Sequence, residues 1–419
     1  MNYKTIGLTL IILAVLIFSY VAYHNSQKRQ QAIIFSKKLM LSALWDTYKR
    51  NYWDPNSGRT LDKQRNGITT SEGQSYTMLR AVWQDDKPTF DKTWSWTEMN
   101  LKRPSDHLFS WLYGQKTDGS FGIISQQGGQ NTATDADTDI ALALAFAGQR
   151  WGNADYLQAS KDIIGDIWQQ EVVTINGTPY VVADNVEKNS PNSVLINPSY
   201  LAPYAYRLFA QLDPQHNWNA VIDSSYKILD ESSKSPLDKA SSAGLPPDWL
   251  VIDKQTGDIA TSTNPTLTTN FGFDALRVPW RLAVDWQWYK DPRDKSILDS
   301  FNFLDREWQD KKMLDSTYTH DGQVVYTTES PSFYGGIIGY FIVSEPQIAN
   351  DVYKNKLELL YSPDLQSWKQ TLGYYDDNWA WFGLSLFNGQ ITNLIPLNTA
   401  KPQAERSGLL TPLGILSSN

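Results

Sequence analysis

No cysteine occurs among the 419 residues. That excludes disulfides, thiolate zinc sites, a thiol nucleophile and a lipobox-type lipid anchor, although an exported protein can do without disulfides. Histidine is almost as scarce. His24, His107, His216 and His320 are scattered and form no HExxH pair, so no histidine-rich metal site and no cofactor are expected. An excess of basic charge is also missing. A net charge of −8 and a pI near 5.1 argue against a nucleic-acid partner, which would need a basic footprint. Strand-like alternation is minor throughout, and no sequence repeat is evident.

Aromatic residues are abundant instead: 17 Trp, 22 Tyr and 15 Phe, or 13% of the chain. Part of that is core mass; surplus Trp and Tyr, with flat faces and a polar handle, suit stacking on sugar rings or at interfaces. One uncharged apolar run, Gly7 to Tyr23, follows Lys4 and has no small-x-small cleavage site after it. It is short for a membrane span and long for a signal peptide, and an uncleaved transmembrane signal anchor over residues 1–30 is the expected reading. Lys28, Arg29, Lys37 and Lys38 behind the run would hold the body in the cytoplasm by the positive-inside rule. Long globular domains translocate largely regardless of charge, so topology follows the functional reading. A catalytic domain over residues 31–398 and a tail over 399–419 complete the expected organisation.

Beyond the run the periodicity predicts about twelve helices. They lie near 32–50, from Ser71, after Pro88, and from about Thr134, Asn153, Pro198, Asn217 and Phe273. Residues 293–310, 331–346, 348–360 and 376–389 supply the rest. Val172 to Val182 reads as a small hairpin with an Asn-Gly turn. The Pro/Gly/Ser/Asp-rich stretch from Glu231 to Asn270 reads as an ordered surface excursion rather than a linker. Ser71 and Gln74 stand at capping-box spacing, which would open the second helix at Ser71 and put Glu72 in its first turn.

Ile140 to Gly148 is apolar and small almost all round, as a helix buried on every side should be. Tyr156 to Trp168 is amphipathic, as a surface helix should be. Alternation of buried and exposed helices suggests two concentric layers, an all-α fold of the (α/α)6 barrel type. Acidic, aromatic and glycine-containing clusters open the even-numbered helices. They are Ser71-Glu72-Gly73, Thr134-Asp135-Ala136-Asp137, Asn197-Pro198-Ser199-Tyr200, Asn270 to Asp274, Ser330 to Gly336 and Tyr374 to Trp379. If even helices form the inner ring, these clusters gather at one mouth. Caps alone explain one polar residue per helix start; an acidic, aromatic-lined cleft also explains the paired carboxylates.

Glycosidic cleavage needs two carboxyl groups, an acid on the leaving oxygen and a base or nucleophile on the opposite face. Glu72, Asp135, Asp137 and Asp274 are the candidates, and crowding would raise the pKa of whichever must keep its proton. Asp135 to Asp139 could instead bind Ca²⁺, but the rest of the EF-hand pattern is missing.

Ala133 to Trp151 resembles the characteristic stretch of glycoside hydrolase family 8. Thr70-Ser-Glu-Gly-Gln-Ser-Tyr76 resembles that family's general-acid motif, Phe271 to Trp280 resembles its general-base motif, and Asn197 to Tyr200 also matches. The resemblance spans roughly residues 35–395 and implies an (α/α)6 barrel that cleaves β-1,4-linked glycans with inversion. It implies Glu72 as general acid, Asp274 as the base that activates water, and Asp135 as the residue that holds the sugar distorted. Arg277 would orient the base, Tyr200 would position the water, and Trp111 would stack on sugar; Tyr334 and Asp376, in the later clusters, are further substrate-binding candidates. Ser75 and Thr77 stand where the family usually has glycines, a departure that bears on specificity first.

Read from the residues alone, Asp137 and Asp139 are capping or supporting groups, and Trp151, Trp168 and Trp286 are core. Arg277 could be a buried ion-pair partner, and Asp376 and Asp377 could bind a further sugar or cap the last helix. The expected function is a membrane-anchored, extracytoplasmic, endo-acting β-glycanase. Its partners would be a β-linked polysaccharide, the membrane and exopolysaccharide synthesis machinery. A non-catalytic glycan-binding protein and a polysaccharide lyase on an α/α barrel are the alternatives. Glu72 and Asp274 should lie roughly 6.5–9.5 Å apart, leaving room for the attacking water.

Overall fold

A computed structural model describes residues 3–395, the side chains of residues 3–15 and 17 excepted. Thirteen α-helices occur among the described residues: α1 (Tyr3–Tyr52), α2 (Ser71–Trp83), α3 (Lys87–Asn100), α4 (Thr134–Trp151), α5 (Ala154–Glu171), α6 (Pro203–Leu212), α7 (Trp218–Lys234), α8 (Arg277–Tyr289), α9 (Pro292–Ser300), α10 (Asn302–Lys311), α11 (Pro331–Ser344), α12 (Pro346–Val352) and α13 (Tyr374–Phe387). One more than expected arises because residues 293–310 break at Phe301, which is fully buried and caps α9.

Several starts follow from local chemistry. The Asn153 and Asn217 side chains accept from Asp155 N–H and Ala220 N–H, opening α5 and α7. The Asn176-Gly177 turn has both residues at positive φ (50° and 82°) and joins Val172–Ile175 to Thr178–Val181. At α2 the expected capping box does not form. Thr70 is the cap, accepting from Gly73 N–H at 3.0 Å, while the Gln74 amide is buried and binds Thr60 and Thr97. A tertiary demand on Gln74 overrode the local motif.

Helices α2, α4, α6, α8, α11 and α13 pack in succession as an inner ring. The ring closes from α13 back to α2 through the buried Arg80–Asp377 ion pair and through Tyr76 against Trp379 and Phe382. Outer helices pair with inner ones: α3 with α2, α5 with α4, α7 with α6, α9 with α8, α12 with α11 and α1 with α13. This is the expected two-layer (α/α)6 arrangement. Small residues let α11 fit between its neighbours. A Cβ at Gly335 would lie 2.0 Å from Trp379 O, and one at Gly339 would lie 2.2 Å from Pro279 O. Neither position has room for a side chain.

Strands are short and lie in the connections between helices. Thr69–Thr70, Leu112–Gln115 and Phe121–Ile123 form one antiparallel sheet; Ser193–Ile196, Leu250–Asp253 and Ile259–Ala260 form another. The second sheet ties the Glu231–Asn270 excursion to the barrel, which is why that stretch is ordered. The apolar run Gly7 to Tyr23 falls within α1, but most of its side chains lie outside the described residues, as does the 399–419 tail. Among the described residues no helix is long and apolar enough to cross a membrane, so the expected anchor finds no support there.

Candidate active site

The inner helices all present their N-terminal ends, or the turns just before them, to one mouth of the barrel, and Arg277 sits at the meeting point. Arg277 opens α8, and its side chain is 1% exposed. One terminal nitrogen donates to Glu72 Oε2 on α2 (2.8 Å) and to Asp135 Oδ2 on α4 (2.7 Å). The other donates to Asp274 Oδ1 (2.7 Å), in the turn that leads into α8. Tyr76 hydroxyl accepts a longer bond at 3.5 Å, and the Tyr200 ring lies 5.2 Å from the guanidinium carbon. Arg277 is thus an ion-pair partner, but of three carboxylates at once.

One positive charge cannot neutralise three carboxylates in a partly desolvated site, so at least one of them resists ionisation. Burial is the main cause that pushes Glu72 up to about 7; Asp135 and Asp274 add to the rise and Arg277 opposes it. The Asp274 carboxyl is also raised, by burial first, against the pull of Arg277. Asp135 is almost completely enclosed, whereas Glu72 and Asp274 keep 26% and 34% of their side-chain surface open to the cleft. Because both bonds leave one planar guanidinium, the bound oxygens of Glu72 and Asp274 are held less than about 8 Å apart. That meets the upper bound on their expected separation, roughly 9.5 Å.

Glu72 and Asp274 open onto a cavity of about 610 Å³. Phe273, Tyr374 and Tyr375 wall it, and Asp62, Arg65, Glu329 and Asp376 extend its polar rim. Tyr375 donates its hydroxyl to Phe273 O (2.6 Å) and so fastens α13 to the turn before α8.

The remaining candidates divide. Asp376 lines the cavity, and its Oδ1 accepts from Ser330 Oγ and Ser332 N–H, so it caps α11 rather than its own helix. Trp111 stands beside the start of α2: its carbonyl accepts from Ser71 N–H (3.1 Å) and its half-buried indole donates to Gly128 O. Tyr334 differs from expectation. It is 2% exposed and does not line the cavity; its hydroxyl accepts from Leu314 N–H and donates to Glu329 of the rim from behind. A glycine-rich helix pressed between two neighbours turned that ring into core. Asp137 accepts from Phe109 N–H and is buried beside Glu171, while Asp139 pairs with Arg281. Both are supporting groups.

Four residues at the site lie outside the expected set. Tyr76 ends the Thr70–Tyr76 motif, and Tyr375 belongs to the cluster that opens the last helix. Asn197 opens a further one, and its buried amide nitrogen is without a hydrogen-bond partner among the described residues. Trp249, from the Glu231–Asn270 excursion, donates its indole N–H to Asp274 Oδ2 (3.1 Å). No local pattern singled it out.

A sequence model described as Glycosyl hydrolases family 8 matches residues 20–370. Endoglucanase A of Acetivibrio thermocellus is 27% identical over 98% of this chain and 83% of its own length. A probable endoglucanase of Novacetimonas hansenii is 30% identical over 72% of this chain and 80% of its own. Among solved structures, an endo-1,4-D-glucanase from Vibrio fischeri superposes with a TM-score of 0.68 at 25% identity, over 82% of this chain and 94% of that one. The match runs through every motif that supplies the Arg277 cluster, and the chain belongs to the glycosyl hydrolases of family 8.

Proposed function

We propose that this glycoside hydrolase cleaves a β-1,4-linked polysaccharide internally and with inversion. The observation that carries the reading is the Arg277 cluster: three carboxylates from separate inner-ring segments around one cation, with Glu72 pushed up to about 7. A carboxyl held near neutral pKa can donate its proton to the departing glycosidic oxygen. Asp274, on the same cleft and bound to the other arm of Arg277, takes a proton from water as that water attacks the anomeric carbon from the opposite face. Bond breaking to the leaving sugar and bond making to water then occur in one displacement, and each carboxyl ends in the other's starting state. Asp135 braces Arg277 from beneath the cleavage point, where the family resemblance has it hold the sugar distorted. Tyr200 lies over Arg277 and borders the water. Trp111, Tyr375 and Phe273 offer flat faces to sugar rings, and Asp376 lies on the rim for a more distant sugar.

Relatives that carry the name endoglucanase support the endo mode and a glucan-type substrate. The apolar run Gly7 to Tyr23 supports attachment to a membrane, and the polysaccharide substrate, rather than the charges flanking the run, favours a body outside the cytoplasm that trims a surface or secreted exopolysaccharide beside its synthesis machinery. Phe18, Tyr20 and Tyr23 within the run, and Phe35 further along α1, are exposed.

The test is hydrolysis of carboxymethyl-cellulose, lichenan, chitosan and xylan by the full chain. Viscosity should fall well ahead of reducing-end release on at least one of them, and Glu72→Gln should abolish both. Binding without turnover would favour the glycan-binding alternative. Unsaturated, ultraviolet-absorbing products would mark a lyase and overturn the assignment. Attachment is tested separately: protease added to intact cells should shave off the body, and a protected body would contradict external display.

A further inference from the structure

The excursion between α7 and α8 sends two consecutive residues, Asp248 and Trp249, to the turn that carries Asp274. Asp248 Oδ1 accepts three backbone N–H bonds from that turn: Gly272 (3.2 Å), Asp274 (3.1 Å) and Ala275 (2.7 Å). The backbone returns the hold, because Asp248 N–H donates to Asn270 O at 2.6 Å and Trp249 N–H to Thr268 O at 3.1 Å. Trp249 then donates its indole N–H to Asp274 Oδ2, the oxygen that Arg277 leaves free, while its ring meets the Tyr200 ring edge-on at 6.0 Å between centroids. The fit on the Asp248 side is close: a Cβ at Gly272 would lie 2.7 Å from Asp248 Oδ2.

We propose that Asp248 and Trp249 are positioning residues for Asp274: Asp248 clamps the backbone turn, and Trp249 fixes the carboxylate plane and its free oxygen. This rests on the reading of Asp274 as the base. The division of labour follows from the atoms. A turn in the chain has no helix ladder to fix it, and here its N–H groups find their acceptor in one carboxylate. A carboxylate held on one oxygen by Arg277 can still rotate; a donor on the second oxygen removes that freedom and stabilises the charged form. The Asp248 carboxyl is itself pushed up to about 8, by burial and then by the Asp274 charge. It therefore braces the turn without setting a second full charge beside the base. The other groups facing Asp274 are Arg277 on α8, Asp135 on α4, Glu72 on α2, Asn197 and Tyr200 from the segment before α6, and Tyr375 on α13.

The experiment compares Asp248→Ala, Asp248→Asn, Trp249→Phe and Asp274→Asn in the full chain, on whichever soluble polysaccharide the parent degrades. Asp248→Ala should lower kcat by about 10²-fold with KM little changed, because a displaced base costs rate rather than binding. Asp248→Asn keeps an oxygen acceptor for the three N–H groups and should recover most of that loss. Trp249→Phe removes the donor that favours ionised Asp274, so the acidic limb of the kcat/KM profile should move up by about one pH unit. Melting curves confirm that each variant is folded. With Asp274→Asn inactive, an Asp248→Asn no better than Asp248→Ala, or a Trp249→Phe limb that stays in place, would overturn the positioning role alone. An Asp274→Asn that stays active would overturn the base assignment and the positioning role with it.

Discussion

Helices α4 and α8 face each other through two arginine–aspartate rungs one helical turn apart. The upper joins Arg277 to Asp135, the lower Arg281 to Asp139, and all four side chains are at most 5% exposed. In the lower rung Arg281 reaches both Asp139 oxygens (3.1 and 3.0 Å) and donates to Tyr204 hydroxyl (2.6 Å), so one cation meets one anion in a sealed core. In the upper rung Glu72 and Asp274 add two more carboxylates, and both are open to the cleft. The same residue pair therefore serves two ends. Where charge balances the rung is a brace; where anions outnumber the cation it becomes a reservoir for a proton.

The comparison is broken most severely by removing the surplus carboxyls. Glu72→Gln and Asp274→Asn should each lower kcat by about 10³-fold or more in a folded protein, measured as reducing-end release. In the lower rung the largest effect should fall on stability instead. Asp139→Ala leaves the Arg281 charge buried and unpaired, and chemical denaturation should show a loss of about 3–5 kcal/mol. Both limbs of the pH–rate profile measured on the folded enzyme should stay where they are.

A third effect links the rungs with opposite sign. Glu72 has a folded pKa of about 7 against an ordinary value of 4.5, so folded protein binds the proton more tightly than unfolded chain. The stability it contributes is complete below about 4.5 and is lost as pH rises through 7. Glu72→Gln has no such titration. Relative to the parent it should gain about 2 kcal/mol between pH 4.5 and pH 8, a figure reduced for the part of the side chain that solvent reaches. Melting temperatures across that range measure it. The smallest shift belongs to Asp135→Asn, which removes a like charge from beside Glu72. The basic limb of kcat/KM should move to lower pH by less than about one unit.

The residues explain what could be read without coordinates. Helix starts at Asn153 and Asn217 rest on a side chain and an N–H two or three positions away, so a local pattern finds them. The buried character of α4 is likewise written in Ile140 to Gly148. Recurrence of acidic clusters at alternate helix starts pointed to one mouth, and the Arg277 bonds join three of those clusters. Other features depend on contacts that local patterns do not encode. Gln74 matched a capping box, yet its amide answers to Thr60 and Thr97. Tyr334 and Tyr375 stand in similar clusters, and only packing decides that the first is core and the second faces the cleft. Asp248 and Trp249 sit in a Pro- and Gly-rich stretch without periodicity, and their partners lie more than twenty residues away.

The central claim is that Glu72 and Asp274 work as an acid and a base with a water between them. Proton NMR of the first products of oligosaccharide hydrolysis tests it most directly. Inversion at a β-linkage predicts that the α-anomer of the new reducing end appears first and then mutarotates. A β-anomer appearing first would mean a covalent intermediate and carboxyls about 5 Å apart, and would contradict the account.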